Sequence, residues 1–266
     1  MAKPFLRWAG SKQKMLPTLK KFWSEDYDRY IEPFVGSGQL FFNLDWESAL
    51  ISDLNEDLIE VFNQIKKTPY PIYQIIKKQI VSKEEYYRIR ALNPKNLGIN
   101  QRAARFLYLN RFCFNGLYRT NSKGQFNVPF NYSENQNICN YDNLLAVSNK
   151  IKNVKIIAGD FETVLKRNVR RNDFVYLDPP YAVNNRKIFK QYGPSTFGTE
   201  DLNRVKSVLE HIDNKGAKFL LSYAYCREAN ELFSGWKVSK TFTQRNISGF
   251  VEFRRKEAEI LVTNID

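Results

Sequence analysis

Two short apolar segments with a glycine turn between them constrain the fold of this chain most. Residues 30–35 (YIEPFV) and 49–52 (ALIS) are each long enough for one strand, and the turn at 36–38 (GSG) leads into a helical pattern that starts at residue 39. Strands that alternate with helices form a parallel sheet with helices on its faces. The sequence therefore predicts an α/β fold that opens with a strand–turn–helix–strand unit.

The same alternation returns in the C-terminal part of the chain. A helix is predicted over 200–214, with Thr199 as its N-cap and Gly216 just after its end. Two final strands, at about 236–242 and 258–264, flank a polar loop and should form an antiparallel pair at the edge of the sheet. Further strands are predicted in three apolar segments, 154–158 (VKIIA), 173–178 (DFVYLD) and 217–223 (AKFLLSY).

The segment between these two zones has a different composition. Helical patterns occupy 72–80, 83–91 and 100–112, and an irregular stretch follows at 113–140. Within 66–123 there are 13 lysines and arginines but two acidic residues, a net charge of +11 in a chain whose total is +13. Basic residues interleaved with aromatic ones suit contacts to phosphates and bases, so nucleic acid is the first partner to consider and a membrane surface the second. Most of the aromatics are expected in the core of this helical insert.

Cysteine and histidine usage excludes several classes of site. Cys113, Cys139 and Cys226 form no Cys-x-x-Cys pair, which argues against a zinc site or a disulfide framework and favours a reducing compartment. His211 is the single histidine, so histidine triads and multi-histidine metal sites are excluded. Because the sequence also has no apolar signal core and no run long enough to span a bilayer, we expect a cytoplasmic protein without a bound metal.

Four features fall at the carboxyl ends of predicted strands, where a sheet of this type binds its ligands. They are Glu32-Pro33-Phe34-Val35-Gly36-Ser37-Gly38, Asp53, Asp160-Phe161 and Asp178-Pro179-Pro180-Tyr181. The glycine turn lacks the full dinucleotide-binding spacing and the P-loop lysine, but glycine lets a ligand approach the backbone closely. Asp53 can accept hydrogen bonds from both hydroxyls of a ribose, and it can also cap the next helix with Asn55. Together these features predict a nucleoside-bearing cofactor.

The tetrapeptide that begins at Asp178 carries the chemistry. Two prolines directly after an apolar strand end the strand and stiffen its exit, so Asp178 and the carbonyl of Pro179 become rigid acceptors beside the ring of Tyr181. The adenine amino group has two N–H donors and a flat face, which this arrangement can hold. The acceptors stabilise the positive charge that grows on the amino nitrogen. A methyl sulfonium is already an activated electrophile, so direct transfer of its methyl group to the amino nitrogen needs no enzyme nucleophile.

The order and spacing of several segments resemble one known family over nearly the whole chain. The segments are FLRWAGSK (5–12), YIEPFVGSG (30–38), SDLNEDLI (52–59), RFCFNGLYRTNSKGQFNVPF (111–130), GDF (159–161), DFVYLDPPY (173–181) and EILVTN (259–264). On these segments the chain is similar to the Dam-type N6-adenine DNA methyltransferases of class alpha. In that class the cofactor motifs precede the target-recognition region and the catalytic motif follows it.

The resemblance implies a fold, a cofactor and a partner. The fold is a Rossmann-like methyltransferase fold with a mixed seven-stranded sheet and an antiparallel edge pair. Its catalytic domain comprises 1–65 and 154–266, and an inserted, mostly helical target-recognition domain occupies 66–153. The implied cofactor is S-adenosylmethionine, which becomes S-adenosylhomocysteine, and the implied partner is double-stranded DNA.

The resemblance also assigns roles to individual residues. Trp8 packs on the methionine end of the cofactor and Lys12 pairs with its carboxylate, in a Gly-Ser-Lys sequence where Gly-Gly-Lys is commoner. Asp53 binds the ribose, and Asp160 with Phe161 meets the cofactor's adenine. The expected cofactor contacts are Trp8, Gly10, Ser11, Lys12, Glu32, Pro33, Phe34, Gly36, Gly38, Asp53, Asn55, Asp160, Phe161 and Asp178, and the expected catalytic residues are Asp178, Pro179, Pro180 and Tyr181.

Residues 111–130 are similar to the hairpin that reads DNA in this family. Arg119 matches an arginine that contacts a guanine, and a bidentate arginine–guanine contact is what major-groove geometry favours. Phe114, Asn115 and Leu117 match positions that contact base pairs or wedge between them. A purely structural hairpin with an Asn-Ser-Lys-Gly turn is the other interpretation. The expected DNA contacts are Phe114, Asn115, Leu117, Arg119, Asn121, Asn127 and Pro129.

The resulting hypothesis is methylation of N6 of an adenine flipped out of duplex DNA, within GATC or another GAT-containing site. Three alternatives stay open: a cytosine-N4 methyltransferase, in which serine is commoner than aspartate before Pro-Pro-Tyr, an RNA or protein methyltransferase, and a non-catalytic DNA-binding module. A monomer is expected, paired at most on palindromic DNA, and a cognate restriction endonuclease is a candidate partner. The loop 182–198 is expected to become ordered over bound DNA.

Overall fold

Seven strands form one mixed sheet in the computed structural model, which describes residues 1–131, 137–181, 197–244 and 256–265, with the backbone alone at 243, 244, 256 and 257. The strands are β1 (Arg29–Glu32), β2 (Ala49–Asp53), β3 (Lys155–Ala158), β4 (Asp173–Leu177), β5 (Lys218–Ala224), β6 (Lys237–Gln244) and β7 (Lys256–Thr263). Their spatial order is β3-β2-β1-β4-β5-β7-β6, with β1 to β5 parallel and β7 antiparallel to both β5 and β6. The Rossmann-like fold and the antiparallel edge pair are confirmed.

The first strand is shorter than the predicted segment 30–35. β1 ends at Glu32 because the next residue, Pro33, has no N–H to donate to a neighbouring strand. The chain nevertheless stays beside β2, since the N–H of Val35 donates to the carbonyl of Ser52 over 3.0 Å. The glycine turn that follows is therefore held at the carboxyl end of the sheet.

Ten α-helices lie among the described residues. They are α1 (Leu16–Leu19), α2 (Gln39–Phe42), α3 (Glu56–Lys67), α4 (Pro69–Ile76), α5 (Lys83–Ala91), α6 (Ile99–Phe112), α7 (Tyr141–Lys150), α8 (Phe161–Asn168), α9 (Thr199–Asn214) and α10 (Arg227–Leu232). Helix α4 starts three residues earlier than the predicted 72–80, because Pro69 fits the first turn, where a helix does not need the missing N–H.

Two predicted helix caps are wrong. Thr199 is the first residue of α9 and Gly198 is the N-cap, because the Asp201 carboxylate reaches back to the N–H of Gly198 over 3.0 Å. Asn55 alone caps α3, where its side chain accepts from the N–H of Leu58. Asp53 instead directs its carboxylate towards the glycine turn.

Helices cover both faces of the sheet and enclose two apolar cores. Residues of α3, α4, α6 and α7 share one core with Tyr30, Phe174 and Leu220 of the sheet. Residues of α8, α9 and α10 share the other core with Val175 and Phe219. Because both faces are covered, β4 is buried along its whole length, as the apolar sequence of a central parallel strand indicates.

The basic segment contributes to two different parts of the molecule. Helices α4 and α6 pack on the sheet through the first core, whereas α5, the end of α6 and the 111–130 hairpin form a smaller cluster around Tyr86, Phe112 and Val128. The domain boundaries at 66 and 153 stay a prediction.

Parts of two predicted loops lie outside the described residues. These are 182–196 of the loop expected over DNA and 245–255 of the polar loop between the last two strands. Within the described part of the chain, no helix is long and apolar enough to cross a membrane.

Candidate active site

Asp178 follows directly after β4, so it lies at the carboxyl end of the sheet. Its Oδ1 atom accepts two hydrogen bonds, from Lys12 Nζ over 2.6 Å and from Ser222 Oγ over 3.0 Å. Burial raises the pKa of the Asp178 carboxyl, while the neighbouring Lys12 ammonium opposes that rise. Pro179 and Pro180 follow at once, and Pro179 is buried. The carboxylate is therefore held in one place by the strand before it and by a cation beside it.

Lys12 is the cation at the centre of the site, with 6% of its surface exposed. Its ammonium lies 2.6 Å from Asp178 Oδ1, 3.2 Å from the Tyr181 hydroxyl and 3.4 Å from the carbonyl of Gly10. The Glu259 carboxylate on β7 is 3.9 Å away. Burial alone would lower the pKa of Lys12, but these negative neighbours outweigh it and the pKa rises above its ordinary value. The three N–H groups thus have acceptors within the chain.

Tyr181 forms one wall of the site next to this ammonium. Its ring meets the ring of Tyr223 edge-on, with centroids 5.2 Å apart, and Lys12 Nζ lies 5.4 Å from its centroid. The predicted catalytic tetrapeptide and Lys12 of the N-terminal motif therefore form one cluster, although they are 166 or more residues apart in the chain.

The glycine turn is shaped by Trp8. Gly36 and Gly38 have φ values of +46° and +66°, which favour glycine, and a Cβ on Gly36 would lie 2.7 Å from Cδ1 of Trp8. The Trp8 ring also stacks on Tyr118 of the hairpin, with centroids 6.0 Å apart. The close approach that glycine permits at position 36 is thus made by a tryptophan of the chain itself.

Asp53 closes the other side of the same turn. One carboxylate oxygen accepts the N–H of Gly36 over 3.1 Å and the other accepts the N–H of Asn55 over 3.0 Å. Burial raises the pKa of Asp53 to about 6, against the opposing effect of these backbone donors. Asp53 therefore lies at the predicted position, and burial raises the pKa of its carboxyl group well above that of an ordinary aspartate.

Glu32 and Phe34 line the strand that leads into the turn. The buried Glu32 carboxylate accepts a hydrogen bond from the Tyr30 hydroxyl over 2.9 Å, and burial raises its pKa well above the ordinary value. Phe34 packs on Phe161 with ring centroids 5.1 Å apart. Glu32 is thus part of the interior of the sheet, whereas Phe34 reaches towards α8.

Asp160 has two structural partners. Its side chain caps α8 by accepting from the N–H groups of Glu162 and Thr163, and both of its oxygens lie within 2.7 Å of Arg204 Nη2 on α9. The same guanidinium lies 4.7 Å from the centroid of the Phe161 ring. Arg204 was not among the predicted site residues, because an arginine on an ordinary amphipathic helix gives no sign of this pairing.

The remaining predicted cofactor residues lie around these groups. Gly10 and Ser11 are exposed, Gly10 with a φ of +81°, while Pro33 is buried and Asn55 is partly buried as the cap of α3. Two residues beside Asp178 were missed, Ser222 and Glu259. Ser222 is a hydroxyl residue within the apolar run of β5, and Glu259 directly precedes the apolar run ILV of β7; a polar residue bordering or interrupting such a run is the signal that could have found them.

The 111–130 segment forms a hairpin that projects from the end of α6. Bridges between Cys113 and Phe130 and between Thr120 and Phe126 pair its two arms. Asn121 stabilises the turn, where its side-chain oxygen accepts from the N–H groups of Lys123 and Gln125. The hairpin and its Asn-Ser-Lys-Gly turn thus have the form that the sequence predicts.

The predicted DNA contacts differ in exposure. Phe114, Asn115, Asn121 and Pro129 are exposed, and Asn115 has a left-handed backbone with a φ of +54°. Arg119 is partly buried, since its Nε donates to the side-chain oxygen of Asn127 over 2.7 Å. Leu117 is also partly buried.

Similarity to known sequences defines a class of enzyme, the DNA methyltransferases. Residues 8–247 match the family model described as D12 class N6 adenine-specific DNA methyltransferase. The chain belongs to that family and is an adenine-specific DNA methyltransferase.

Two relatives illustrate the match. The type II methyltransferase M1.LlaDCHI of Lactococcus lactis is 35% identical over 98% of this chain and 95% of its own. The DNA adenine methylase of Haemophilus influenzae is 30% identical over 97% of this chain and 92% of its own.

The contact between Gly36 and Trp8 yields a first prediction. Gly36→Ala should lower the free energy of unfolding by more than Gly124→Ala, which also has a left-handed backbone, with a φ of +74°, but nothing within 4 Å of the added Cβ. The difference should be about 1–3 kcal/mol, the usual cost of overpacking. Urea unfolding of both variants measures it.

A Trp8→Ala background provides the control for that prediction. Without the indole ring, Gly36→Ala should cost no more than Gly124→Ala, because strain alone remains. Equal costs of the two glycine substitutions in the presence of Trp8 would show that the close approach has no energetic consequence.

Proposed function

We propose that this protein transfers a methyl group from S-adenosylmethionine to N6 of an adenine rotated out of duplex DNA, within GATC or another GAT-containing site. The observation that carries the proposal is the arrangement of Asp178, where Lys12 and Ser222 both donate to Oδ1. Among the described residues, none donates a hydrogen bond to Oδ2. That oxygen is thus the acceptor for one N–H of the target amino group.

The groups around Asp178 suit the reaction of a weak nucleophile. The adenine amino nitrogen shares its lone pair with the ring, and acceptors on its N–H groups restore that lone pair and stabilise the positive charge that grows on it. Lys12 favours the ionised form of Asp178, which accepts but cannot donate. The Tyr181 ring supplies a flat surface for the base. The surplus proton on the methylated nitrogen leaves for solvent.

The residues around the glycine turn fit the cofactor. A carboxylate has about four acceptor positions, and Asp53 fills two with the N–H groups of Gly36 and Asn55, so two ribose hydroxyls can be accommodated. A Cβ on Gly10 would meet nothing within 4 Å, so there is space beside that backbone. S-adenosylmethionine supplies an electrophilic methyl group, while Asp53, Trp8 and Phe161 orient it.

The position of the site supports base flipping. Asp178 is 19% exposed, at the end of a strand buried on both faces, where a base stacked in a duplex cannot reach it. Unstacking one base costs a few kcal/mol, which contacts to the backbone and to the site must offset. The hairpin, with Phe114 and Asn115 exposed at its base, is the proposed element that enters the groove.

We further propose that the protein acts as a monomer and modifies DNA alongside a restriction endonuclease of the same specificity. Support for the second part alone comes from the names of its relatives, since type II methyltransferases are among them. Mapping of methylated adenines in the DNA of an expressing host tests the recognition sequence directly. Methylation at adenines outside any GAT context would overturn that part of the proposal.

The role of Asp178 gives a second prediction. Asp178→Ala should lower transfer from labelled cofactor to duplex DNA by about 10²–10³-fold or more, since it removes the group that stabilises charge on N6, while DNA affinity stays within a few fold. Asp45→Asn, an exposed carboxylate at the opposite end of the sheet, should leave transfer unchanged. Nucleoside analysis of the product identifies the methylated base. N4-methylcytosine in that product, or activity retained by Asp178→Ala, would contradict the proposed function.

The raised pKa of Asp53 gives a third prediction. Ribose hydroxyls donate to the ionised carboxylate, so cofactor affinity should be full above pH 6, where Asp53 is ionised, and should fall as the pH drops below about 6, by roughly tenfold per unit. Titration calorimetry between pH 5 and 8 measures it. Asp53→Asn should bind weakly with no such pH dependence; an unchanged slope in that variant would assign the titration to another group.

The hairpin yields a fourth prediction. Arg119→Ala should lower discrimination at one guanine by about 1–3 kcal/mol, the value of a bidentate base contact. Lys123→Ala, at the exposed turn of the same hairpin, should instead weaken binding equally on all sequences and lower the salt dependence. Competition between duplexes that differ at single positions separates the two effects. Uniform weakening by Arg119→Ala would assign that side chain to the backbone of DNA.

A further inference from the structure

A buried chain of hydroxyl groups leads to Asp178 from the interior of the sheet. The Tyr176 hydroxyl lies 3.0 Å from Ser222 Oγ, and Ser222 Oγ lies 3.0 Å from Asp178 Oδ1. Tyr176 is 2% exposed and Ser222 is fully buried. The two residues stand on the adjacent parallel strands β4 and β5, so the backbone of the sheet fixes the spacing of this chain.

The direction of these hydrogen bonds follows from the chemistry of the groups. An ionised carboxylate accepts and does not donate, so Ser222 gives its single proton to Asp178. The Ser222 oxygen can then only accept from Tyr176, whose hydroxyl is the donor. Each hydrogen bond of this series therefore has one direction, and the series ends at Oδ1 of Asp178.

Lys12 reaches the same oxygen from the N-terminal segment. Its Nζ is 2.6 Å from Oδ1, so two donors on different elements converge on one atom. A half-turn of the carboxyl group only exchanges two equivalent oxygens, whereas any smaller rotation would weaken or break both hydrogen bonds at once. The pair of donors therefore selects one orientation of the carboxylate, in which Oδ2 is left for a substrate.

We propose that Ser222 is a positioning residue for methyl transfer, held by Tyr176, which together with Lys12 occupies Oδ1 of Asp178 and reserves Oδ2 for one N–H of the target amino group. The proposal rests on the proposed function for the identity of that amino group. Its claim about the carboxylate concerns the protein alone.

Several charged and titratable groups face Asp178 and contribute to the pH dependence of its ionisation. Besides Lys12 they are Tyr176 and Tyr181 of the same chain segment, Glu259 on β7, and Tyr30 and Glu32 on β1. The Ser222 hydrogen bond favours the ionised form of Asp178, whereas burial and Glu259 oppose it. Loss of the Ser222 hydroxyl should therefore raise the pKa of Asp178, since a donor to the charged form disappears.

A matched control for Ser222 exists on β2. Ser52 is a fully buried serine in the same sheet, and its Oγ has no hydrogen-bond partner among the described residues. Ser52→Ala removes the same atoms from a similar environment and should leave transfer unchanged. Tyr176→Phe tests the outer end of the chain, because it removes the donor to Ser222 and leaves the Ser222–Asp178 contact in place.

The experiment compares transfer rates and the titration of Asp178 in these variants. Ser222→Ala should lower kcat by about 10–100-fold with KM for DNA and cofactor within about threefold, and the acid limb of kcat should move to higher pH. Tyr176→Phe should lower kcat by a smaller factor, about 3–10-fold. Ser222→Thr, which keeps the hydroxyl, should restore most of the rate. Carbon-13 titration of the Asp178 carboxyl in the protein alone should show the same upward shift in Ser222→Ala.

The outcomes separate this proposal from the proposed function. A wild-type protein that methylates another base, or none, refutes the proposed function, while the carboxyl titration still decides the role of Ser222. Wild-type kcat and an unshifted Asp178 titration in Ser222→Ala would overturn the positioning role. If Ser222→Ala does not fold, Ser222→Cys replaces it, because a thiol is a much weaker donor, and a wild-type kcat with an unshifted Asp178 titration in that variant overturns the positioning role. A wild-type rate and titration in Tyr176→Phe would overturn the part assigned to Tyr176.

Discussion

The contact between Lys12 and Asp178 is the interaction on which the site depends. It joins residues 166 positions apart over 2.6 Å, in a place where the lysine is 6% exposed. A buried ion pair is weak support for stability, because desolvation of both charges offsets their attraction, whereas loss of one partner leaves a buried charge at a cost of about 3–5 kcal/mol. The main effect of the pair is therefore to fix the position of Lys12 relative to Asp178. It brings the N-terminal segment to the end of β4 and keeps it there.

The same N-terminal segment also contacts the hairpin. The side chain of Asn110, at the end of α6, accepts from the N–H of Arg7 over 2.9 Å and donates to its carbonyl over 2.7 Å. A Cβ on Gly116 would lie 2.6 Å from Cβ of Arg7, so glycine is needed for this approach. With Trp8 between Gly36 and Tyr118, one short segment links the hairpin, the glycine turn and Asp178. The N-terminal segment thus contacts both the hairpin proposed to read DNA and the proposed catalytic group.

The sequence predicted the parts of this molecule that depend on local pattern. Strands followed from apolar runs, and the carboxyl-end location of Asp53 and Asp178 followed from the strand–turn order, because parallel strands place these ends together. The predicted cap at Thr199 was wrong because the Asp201 carboxylate accepts the N–H of Gly198 and the helix starts one residue earlier than predicted. The predicted cap at Asp53 was wrong because the Asn55 side chain accepts the helix N–H instead. Partners distant in the sequence, such as Arg204 for Asp160, could not be predicted, since they depend on how helices pack on the sheet.

The basic segment shows why charge alone did not locate a binding surface. All six of its arginines have partners within the chain, namely Arg88, Arg90, Arg102, Arg105, Arg111 and Arg119. Arg102 and Arg88 pair with Glu60 and Glu85, so their charges are offset.

The charges of the other arginines of this segment are not offset by a paired carboxylate, because their hydrogen-bond partners are neutral oxygens. Arg105, for example, donates to two carbonyls at the end of α5. Such a residue adds to the long-range attraction of a polyanion but cannot redirect its donors to a phosphate without loosening a helix. Under the proposed function, electrostatic attraction and base reading are therefore expected from different residues, and the exposed end of the hairpin is the proposed place of sequence-specific contacts.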